Sequence, residues 1–117
     1  MEFNTVISGI NDDQKLNQGE IRELNVIFKV PYTSSEYELV DKAYYRIYVK
    51  DGKREIDVID WDDINSVGRK NMITLNTGQL APQDYYVDIK AVIGRQTLMF
   101  KNKLHFKVVD NVTNIKR

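Results

Sequence analysis

The residues best suited to carry chemistry are four aspartates that lie close together in the middle of the chain: Asp57, Asp60, Asp62 and Asp63. Carboxylates on a loop between strands are the ligands that calcium prefers, and a full site takes roughly six to eight oxygens. The spacing does not match an EF-hand, whose loop needs a glycine at the sixth position and a glutamate at the twelfth. We therefore expect no metal site, and instead a solvated segment whose aspartates cap a short turn.

The single histidine, His105, is the other residue that could support catalysis. It lies between two apolar residues, Leu104 and Phe106, which places it on the outward side of a strand. None of the serines stands in the sharp turn that presents a catalytic nucleophile, and the glycines are scattered rather than gathered in a phosphate-binding loop. The sequence therefore predicts a protein that is not an enzyme and has no cofactor.

Composition limits the kinds of partner that the protein can have. The 117 residues include 17 basic and 17 acidic side chains, so no overall charge attracts nucleic acid or an anionic membrane. No apolar stretch approaches the roughly 20 residues of a membrane-spanning helix, and the first residues do not resemble a signal peptide. Cysteine is absent. We expect one domain in a reducing compartment, with neither nucleic acid nor membrane as a partner.

The apolar residues recur with a period of two, which is typical of β-strands that are buried on one face. The segment from Leu24 to Val30 shows this most clearly. No segment has the period of an amphipathic helix, and turn residues separate the apolar runs at the spacing of a β-sandwich. We predict an all-β sandwich of seven antiparallel strands, at about residues 3–8, 21–30, 43–50, 54–60, 71–77, 85–93 and 97–109.

Two dipeptides mark tight hairpins between these strands. Asp51-Gly52 is flanked by alternating apolar residues, which is the strongest short-range hairpin signal, because the favoured turn needs positive φ at both central positions. Gly94-Arg95 marks a second hairpin. In the last strand, Lys101-Asn102-Lys103 interrupts the alternation in the way that a β-bulge or a change of sheet does.

The same alternation predicts which side chains face the core and which face outward. The predicted core set is Leu24, Val26, Phe28, Val30, Tyr45, Ile47, Val49, Tyr85, Val87, Ile89, Ala91, Leu104, Phe106 and Val108. On the opposite phase of two neighbouring strands, four residues would form an outer aromatic patch: Tyr44, Tyr48, Tyr86 and Val92. Tyrosine is enriched at protein interfaces, so this patch is a candidate interface. Cross-strand pairs that only stabilise an exposed sheet are the alternative.

The run Leu80-x-Pro82-x-x-Tyr85-x-Val87-x-Ile89-x-Ala91 resembles a corner found in immunoglobulin-like and fibronectin type III-like domains. In those domains a turn leads into a tyrosine that begins an alternating strand. The resemblance implies an immunoglobulin-like sandwich in which the Tyr85 hydroxyl bonds back to the corner backbone. The cysteine pair of antibody domains is missing, and Trp61 stands too late for their conserved tryptophan.

The C-terminal half is similar to small virion structural proteins of tailed bacteriophages, with crAss-like phages as one candidate group. Three segments carry this resemblance, in order: Ile56–Trp61 (IDVIDW), Leu75–Lys90 (LNTGQLAPQDYYVDIK) and Leu104–Asp110 (LHFKVVD). It implies an accessory or connector role in a head, neck or baseplate, with capsid, neck or tail proteins as partners. The protein would then be made in the host cytoplasm and located in the virion.

The ends of the chain fit such an assembly. We divide it into an N-terminal extension at 1–19, a sandwich at 20–110 and a tail at 111–117, and expect both ends to contact other chains. Val112 and Ile115 are the apolar anchors of the tail. A second hypothesis is a carbohydrate- or ligand-binding sandwich that uses a loop at 60–70, with the Trp61 ring as a stacking platform beside Asp62 and Asp63.

Overall fold

The computed structural model describes residues 4–29, 40–67 and 70–110. They form nine strands and one 3-10 helix, and within these ranges no helix is long and apolar enough to cross a membrane. The strands are β1 (Asn4–Ser8), β2 (Gln14–Asn17), β3 (Ile21–Lys29), β4 (Lys42–Asp51), β5 (Arg54–Asp63), β6 (Asn65–Val67), β7 (Lys70–Asn76), β8 (Asp84–Ile93) and β9 (Gln96–Val109). The 3-10 helix spans Thr77–Gln79.

The strands form two sheets that share one apolar core, so this part of the chain is an all-β, sandwich-like fold. One sheet has four strands, in the order β1-β3-β7-β6. The other has five strands, in the order β2-β9-β8-β4-β5. Neighbouring strands are antiparallel except β2 and β9, which run parallel.

All seven predicted strands are present, and two more occur that the periodicity does not reveal. β2 has four residues and β6 has three, too few for alternation to stand out. The partner of β2 is β9, the last described strand, so no hairpin signal near β2 in the sequence could reveal the pairing. Short strands with distant partners are therefore what the sequence pattern missed.

The predicted core is confirmed for nearly every residue that the structure describes. Val49 is half-buried against the same core, and Val30 lies outside the described residues. Buried residues of the predicted set are Leu24, Val26, Phe28, Tyr45, Ile47, Tyr85, Val87, Ile89, Ala91, Leu104, Phe106 and Val108. The register of both sheets therefore agrees with the period-two pattern, since a slip of one residue would have inverted these faces.

The polar composition of residues 9–19 predicts a segment that is not buried, and this prediction is wrong. Leu16 is 0% exposed in the centre of β2, and Ile10 is also buried. Lys15 and Asn17 flank Leu16 and point outward, so only one side chain of the strand has to be apolar. The polar backbone of β2 bonds to β9, which removes the cost that burial would otherwise carry. Residues 111–117, with Val112 and Ile115, lie outside the described residues.

Both predicted hairpins form, with the first turn displaced by one residue. Asp51 pairs with Arg54, so the two central turn residues are Gly52 and Lys53 rather than Asp51 and Gly52. Gly52 has φ +63°, whereas Lys53 is not among the described residues with positive φ. This is the pattern of a type II′ turn, which requires positive φ at its first central position only. The second hairpin turn, Gly94-Arg95, has the same pattern, with Gly94 at φ +58°.

The interruption predicted in the last strand is a bulge. Val87 of β8 pairs with Leu104 and Ile89 pairs with Phe100, so β9 holds two extra residues over this interval. Asn102 occupies the bulge at φ +53°. Because the insertion is of two residues, Phe100 and Leu104 both remain on the core side.

The tyrosine corner also forms. The Tyr85 hydroxyl donates a hydrogen bond to the Ala81 carbonyl oxygen at 2.6 Å, and the Gln83 side chain donates to the hydroxyl at 3.3 Å. Tyr85 is buried, and its ring stacks on Phe106 with the centroids 5.4 Å apart. The corner therefore fixes the entry of the chain into β8.

Gly52→Val should destabilise the β4–β5 hairpin, because a β-branched residue is strained at positive φ. No atom of the described residues lies within contact distance of a Cβ atom added at this position, so the expected loss of about 1–2 kcal/mol is conformational rather than steric. Urea denaturation measures it. Lys53→Val is the matched control, because the neighbouring Lys53 does not have positive φ, and equal losses for both variants would contradict the argument.

Candidate functional site

The outward side of the five-stranded sheet carries a network of charged and aromatic side chains. Successive side chains of a strand point to opposite faces of the sheet. Because Tyr45, Val87 and Ile89 are buried in the core, their neighbours in the strand lie on the other face. We call this side the outer face. It is formed by β5, β4, β8 and β9, and it has a charged centre and two aromatic ends.

The charged centre is built around Asp88 of β8, whose side chain is 0% exposed. Its carboxylate accepts hydrogen bonds from Arg46 Nε of β4 at 2.8 Å and from the backbone N–H of Asn102 at 2.8 Å. Lys101 Nζ lies 2.8 Å from the same carboxylate. Burial raises the pKa of Asp88, but the hydrogen bonds from Lys101, Asn102 and Arg46 outweigh it, so the pKa lies below its ordinary value. Asp88 is therefore a buried anion that two cations neutralise and a backbone N–H stabilises.

Arg46 extends this network to the edge strand β5. Its Nη1 donates to Asp57 at 2.7 Å, and its Nη2 bonds to Glu55, which also receives a hydrogen bond from Lys101 at 3.1 Å. Burial lowers the pKa of Arg46, but its bonds to Glu55, Asp88 and Asp57 raise it by more. Arg46 thus links β8 to β5 across β4, a contact that the sequence pattern did not predict.

Tyr48 is not the exposed interface residue that the sequence suggested. It points to the outer face but is 0% exposed, because the Arg46 guanidinium lies 4.3 Å from its ring centroid and the Tyr86 ring stacks on it at 5.6 Å. Its hydroxyl donates to the Asn102 side chain. Burial and the carboxylates of Asp88 and Glu55 raise the pKa of Tyr48. Tyr48 is therefore covered by Arg46 of the charged centre and by Tyr86.

One end of the outer face is organised by His105. Its ring stacks on Tyr86 at 4.8 Å, and its two nitrogens lie 2.5 Å from an Asp13 oxygen and 2.9 Å from an Asp84 oxygen. The His105 backbone N–H donates to the Asp12 side chain, and its carbonyl accepts from the Asp13 N–H. The hydrogen bond to Asp13 raises the pKa of His105, against a smaller lowering by burial, and Asp84 adds to the rise. This contact ties the turn between β1 and β2 to β9.

The opposite end is a row of side chains that runs across four strands. Asp63 of β5 pairs with Tyr44 of β4, Tyr44 pairs with Lys90 of β8, and Lys90 pairs with Met99 of β9. Lys90 Nζ lies 4.4 Å from the Trp61 ring and 5.1 Å from the Tyr44 ring. Tyr44, Trp61 and Lys90 are half-buried, whereas Met99 is 51% exposed. We call Asp63, Tyr44, Trp61, Lys90 and Met99 the Trp61 patch, and half-buried Val92 lies one outward position farther along β8.

Two expectations for the acidic segment are corrected by this arrangement. Trp61, Asp62 and Asp63 lie on β5 rather than in a loop at 60–70, because the strand continues to Asp63. The aspartates therefore do not cap a short turn: Asp57 receives the Arg46 bond, and Asp60, Asp62 and Asp63 are exposed along the strand. Within residues 4–29, 40–67 and 70–110 no group of acidic or histidine side chains is arranged to hold a metal ion.

The structure brings together only part of the predicted interface. Tyr44 and Val92 lie at the end that also contains Trp61, whereas Tyr86 belongs to the His105 end. Sequence reasoning missed the Arg46–Asp88 pair and the roles of Lys90 and Met99. The β8–β9 hairpin could have placed Lys90 opposite Met99. The β4–β8 pairing, which places Arg46 opposite Asp88 and Lys90 opposite Tyr44, joins strands that no hairpin connects, so no local signal reveals it.

An open groove of about 310 Å³ lies between the two sheets beside β5. Tyr45, Val58, Ile59 and Asp62 line it from one sheet, and residues 74–76, 79 and 80 line the other side. Burial and the nearby Asp62 carboxylate raise the pKa of Tyr45. This groove is on the core side of β5, so it is separate from the Trp61 patch.

The comparisons with known proteins bear on the fold alone. No known protein family matches the sequence, and no curated protein resembles it significantly. Among solved structures, the crystal structure of an engineered protein is similar, with a TM-score of 0.61 and 13% sequence identity. The match covers 92% of this chain and 20% of that one, so the chain spans about a fifth of that protein's length.

Asp88→Asn should lower the free energy of unfolding by about 3 kcal/mol, because removing one partner of a buried ion pair leaves the others uncompensated. Asp57→Asn is the matched control, since Asp57 bonds to the same arginine but its side chain is 39% exposed. We expect a loss below about 1 kcal/mol there. Urea denaturation of both variants compares them, and equal losses would show that burial of Asp88 is not what matters.

His105→Gln should destabilise the protein at acidic pH and have little effect at alkaline pH. A pKa that is raised on folding gives stability that is complete below the ordinary value of 6.5 and is lost as the pH rises through the folded value. Urea denaturation at about pH 5.5 and about pH 9 measures the difference between wild type and variant. A loss that is the same at both pH values would refute the role of charge, and the titration of this single histidine by NMR gives an independent check.

Proposed function

We propose that the protein is a non-enzymatic structural or interaction module with an immunoglobulin-like topology, acting through protein–protein contacts. The strand order supports the topology. In immunoglobulin domains one sheet holds strands A, B, E and D, and the other holds G, F and C, with C′ added in variable domains. The sheets β1-β3-β7-β6 and β9-β8-β4-β5 have the same order. The Tyr85 hydrogen bond lies at the start of β8, where that fold has its tyrosine corner.

The observation that carries the proposed function is the Trp61 patch. Tryptophan, tyrosine and methionine are enriched in protein interfaces, and tryptophan and tyrosine dominate their binding energy. Here the three residue types meet on one flat sheet face, and the most exposed of them is Met99. A group of this kind on an open sheet surface is suited to contact with another protein surface.

More specifically, we propose an accessory or connector protein of a bacteriophage virion. The three segments that resemble phage virion proteins correspond to parts of the fold that build the outer face. Ile56–Trp61 lies in β5, Leu75–Lys90 includes most of β8, and Leu104–Asp110 includes the end of β9. The resemblance is therefore concentrated in the sheet that bears the Trp61 patch, which supports capsid, neck or tail proteins as partners.

A carbohydrate-binding module is the second candidate function. The half-buried rings of Trp61 and Tyr44 on a sheet face favour it, since aromatic rings form stacking platforms. Against it, the Lys90 ammonium already lies 4.4 Å from the Trp61 ring.

Sedimentation velocity over a range of protein concentrations tests the proposed function. We expect self-association that is weakened by Trp61→Ser combined with Met99→Ser, because both side chains would lose their apolar contacts. Ile21→Ser is the matched control, since Ile21 is 65% exposed on the other sheet.

A protein that stays monomeric at every concentration would overturn the proposal. The single tryptophan reports on the alternative, because binding of cellohexaose or chitohexaose on its ring would change the fluorescence of Trp61. Such a change in a monomeric protein would favour the carbohydrate-binding function.

A further inference from the structure

Two charged side chains of the Trp61 patch have no ion-pair partner among the residues that the structure describes. No carboxylate of the described residues lies within ion-pair distance of Lys90 Nζ, which contacts the rings of Trp61 and Tyr44 instead. Asp63 is exposed, and none of the basic groups in the described ranges forms an ion pair with it. The charged centre differs in this respect, because Arg46 and Lys101 both pair with carboxylates there. Among the residues that the structure describes, the patch therefore offers a cation and an anion that are not paired with each other or with other charges.

The positions of these charges make the patch complementary to itself. Tyr44 lies between them, since it pairs with Asp63 on one side and with Lys90 on the other. Neighbouring strands are about 4.8 Å apart, so each charge is roughly one strand spacing from Tyr44. A two-fold rotation about an axis along β4, lying just above Tyr44, exchanges the two sides of the row. It would place Asp63 of a second copy over Lys90 of the first, and Lys90 of the second copy over Asp63.

We propose that the Trp61 patch binds the same patch of a second copy of this chain, so that two Lys90–Asp63 ion pairs form across the two-fold axis. This rests on the proposed function and names the partner for that same surface. Isologous contacts of this kind are the commonest in protein oligomers, and each residue pair then occurs twice. The rings of Tyr44 and Trp61 supply apolar area around the ion pairs, which fix the register, and Met99 lies at the rim, beside β5 of the other copy.

The part of the outer face that overlaps in this arrangement is large enough for a weak dimer. The axis along β4 brings β5, β4 and β8 of one copy over β8, β4 and β5 of the other, whereas β9 falls outside the overlap. Three strands at about 4.8 Å spacing and about ten residues at about 3.4 Å each give roughly 490 Å² per copy, or about 980 Å² in total, which is typical of weak interfaces. We therefore expect a dimer of low affinity that weakens as salt is added, because its register depends on charge.

Charge reversal at the two positions provides a decisive test. Lys90→Glu alone and Asp63→Lys alone should each weaken dimerisation by about ten-fold or more, because each places like charges opposite one another. The double variant should dimerise as wild type does, since both pairs are restored with their signs exchanged. Glu23→Lys, at an exposed position of β3 in the four-stranded sheet, is the control for a change of net charge and should leave the dimer intact.

Mixing the Lys90→Glu and Asp63→Lys variants gives the sharpest result. In a mixed dimer the two substituted side chains, which carry opposite charges, face each other, and the unchanged Asp63 of one copy faces the unchanged Lys90 of the other. Two proteins that do not associate with themselves should therefore associate with each other. Sedimentation velocity of each variant and of the mixture measures this. Self-association that needs Trp61 and Met99 but ignores the charge reversals would overturn this pairing and leave the proposed function standing. A monomeric wild type would overturn both.

Discussion

The arrangement of the outer face depends on the fully buried carboxylate of Asp88. Its ion pairs with Arg46 and Lys101 connect β8 to β4 and β9, and its bond to the Asn102 N–H stabilises the bulge where β9 holds its extra residues. A buried charge is costly unless each of its lone pairs is satisfied, so these partners are required rather than optional. Arg46, held in this way, reaches β5 and lies over the Tyr48 ring. The arrangement of four strands thus depends on one side chain.

The two kinds of charge on this face have different consequences. At the centre, cations and carboxylates neutralise one another within the chain, which makes the centre rigid and leaves little for a partner to bind. At the Trp61 patch, Lys90 is held by aromatic rings and Asp63 is exposed. A cation that is positioned by rings loses little further freedom when a partner carboxylate arrives, so it is prepared for an intermolecular contact. The same face therefore combines ion pairs that are complete within the chain with two charges, Lys90 and Asp63, that are available to another chain.

The edge strand β5 is poorly suited to pairing with another strand, which favours association through the outer face instead. β5 is an edge strand of ten residues, and a long open edge is a template for pairing with another strand. Two irregularities in its pairing with β4 distort it, and its acidic side chains repel a second copy of the same strand. Its acidic residues are Glu55, Asp57, Asp60, Asp62 and Asp63. Growth of the sheet by strand addition is thus disfavoured, while the outer face remains accessible.

The sequence by itself determined the class of fold, the seven longer strands, the core set and both hairpins. These features depend on alternation and on turn residues such as Gly52 and Gly94, which act between neighbours in the chain. The hydrogen bond from Tyr85 back to the preceding turn was also expected, through the resemblance of residues 80–91 to a corner of known sandwich domains.

Tertiary structure decided the rest, because the contacts involved join residues that are distant in sequence. The parallel pairing of β2 with β9 separates its partners by about ninety residues, and no local pattern marks it. Burial of Tyr48 depends on Arg46, Asn102 and Tyr86, which alternation alone places on an exposed face. The Trp61 patch likewise exists only because β4 pairs with β8, a strand distant in the sequence, and so brings Asp63, Tyr44, Lys90 and Met99 into one row. Periodicity assigns each side chain to a face, but only the packed sheets determine which neighbours cover it.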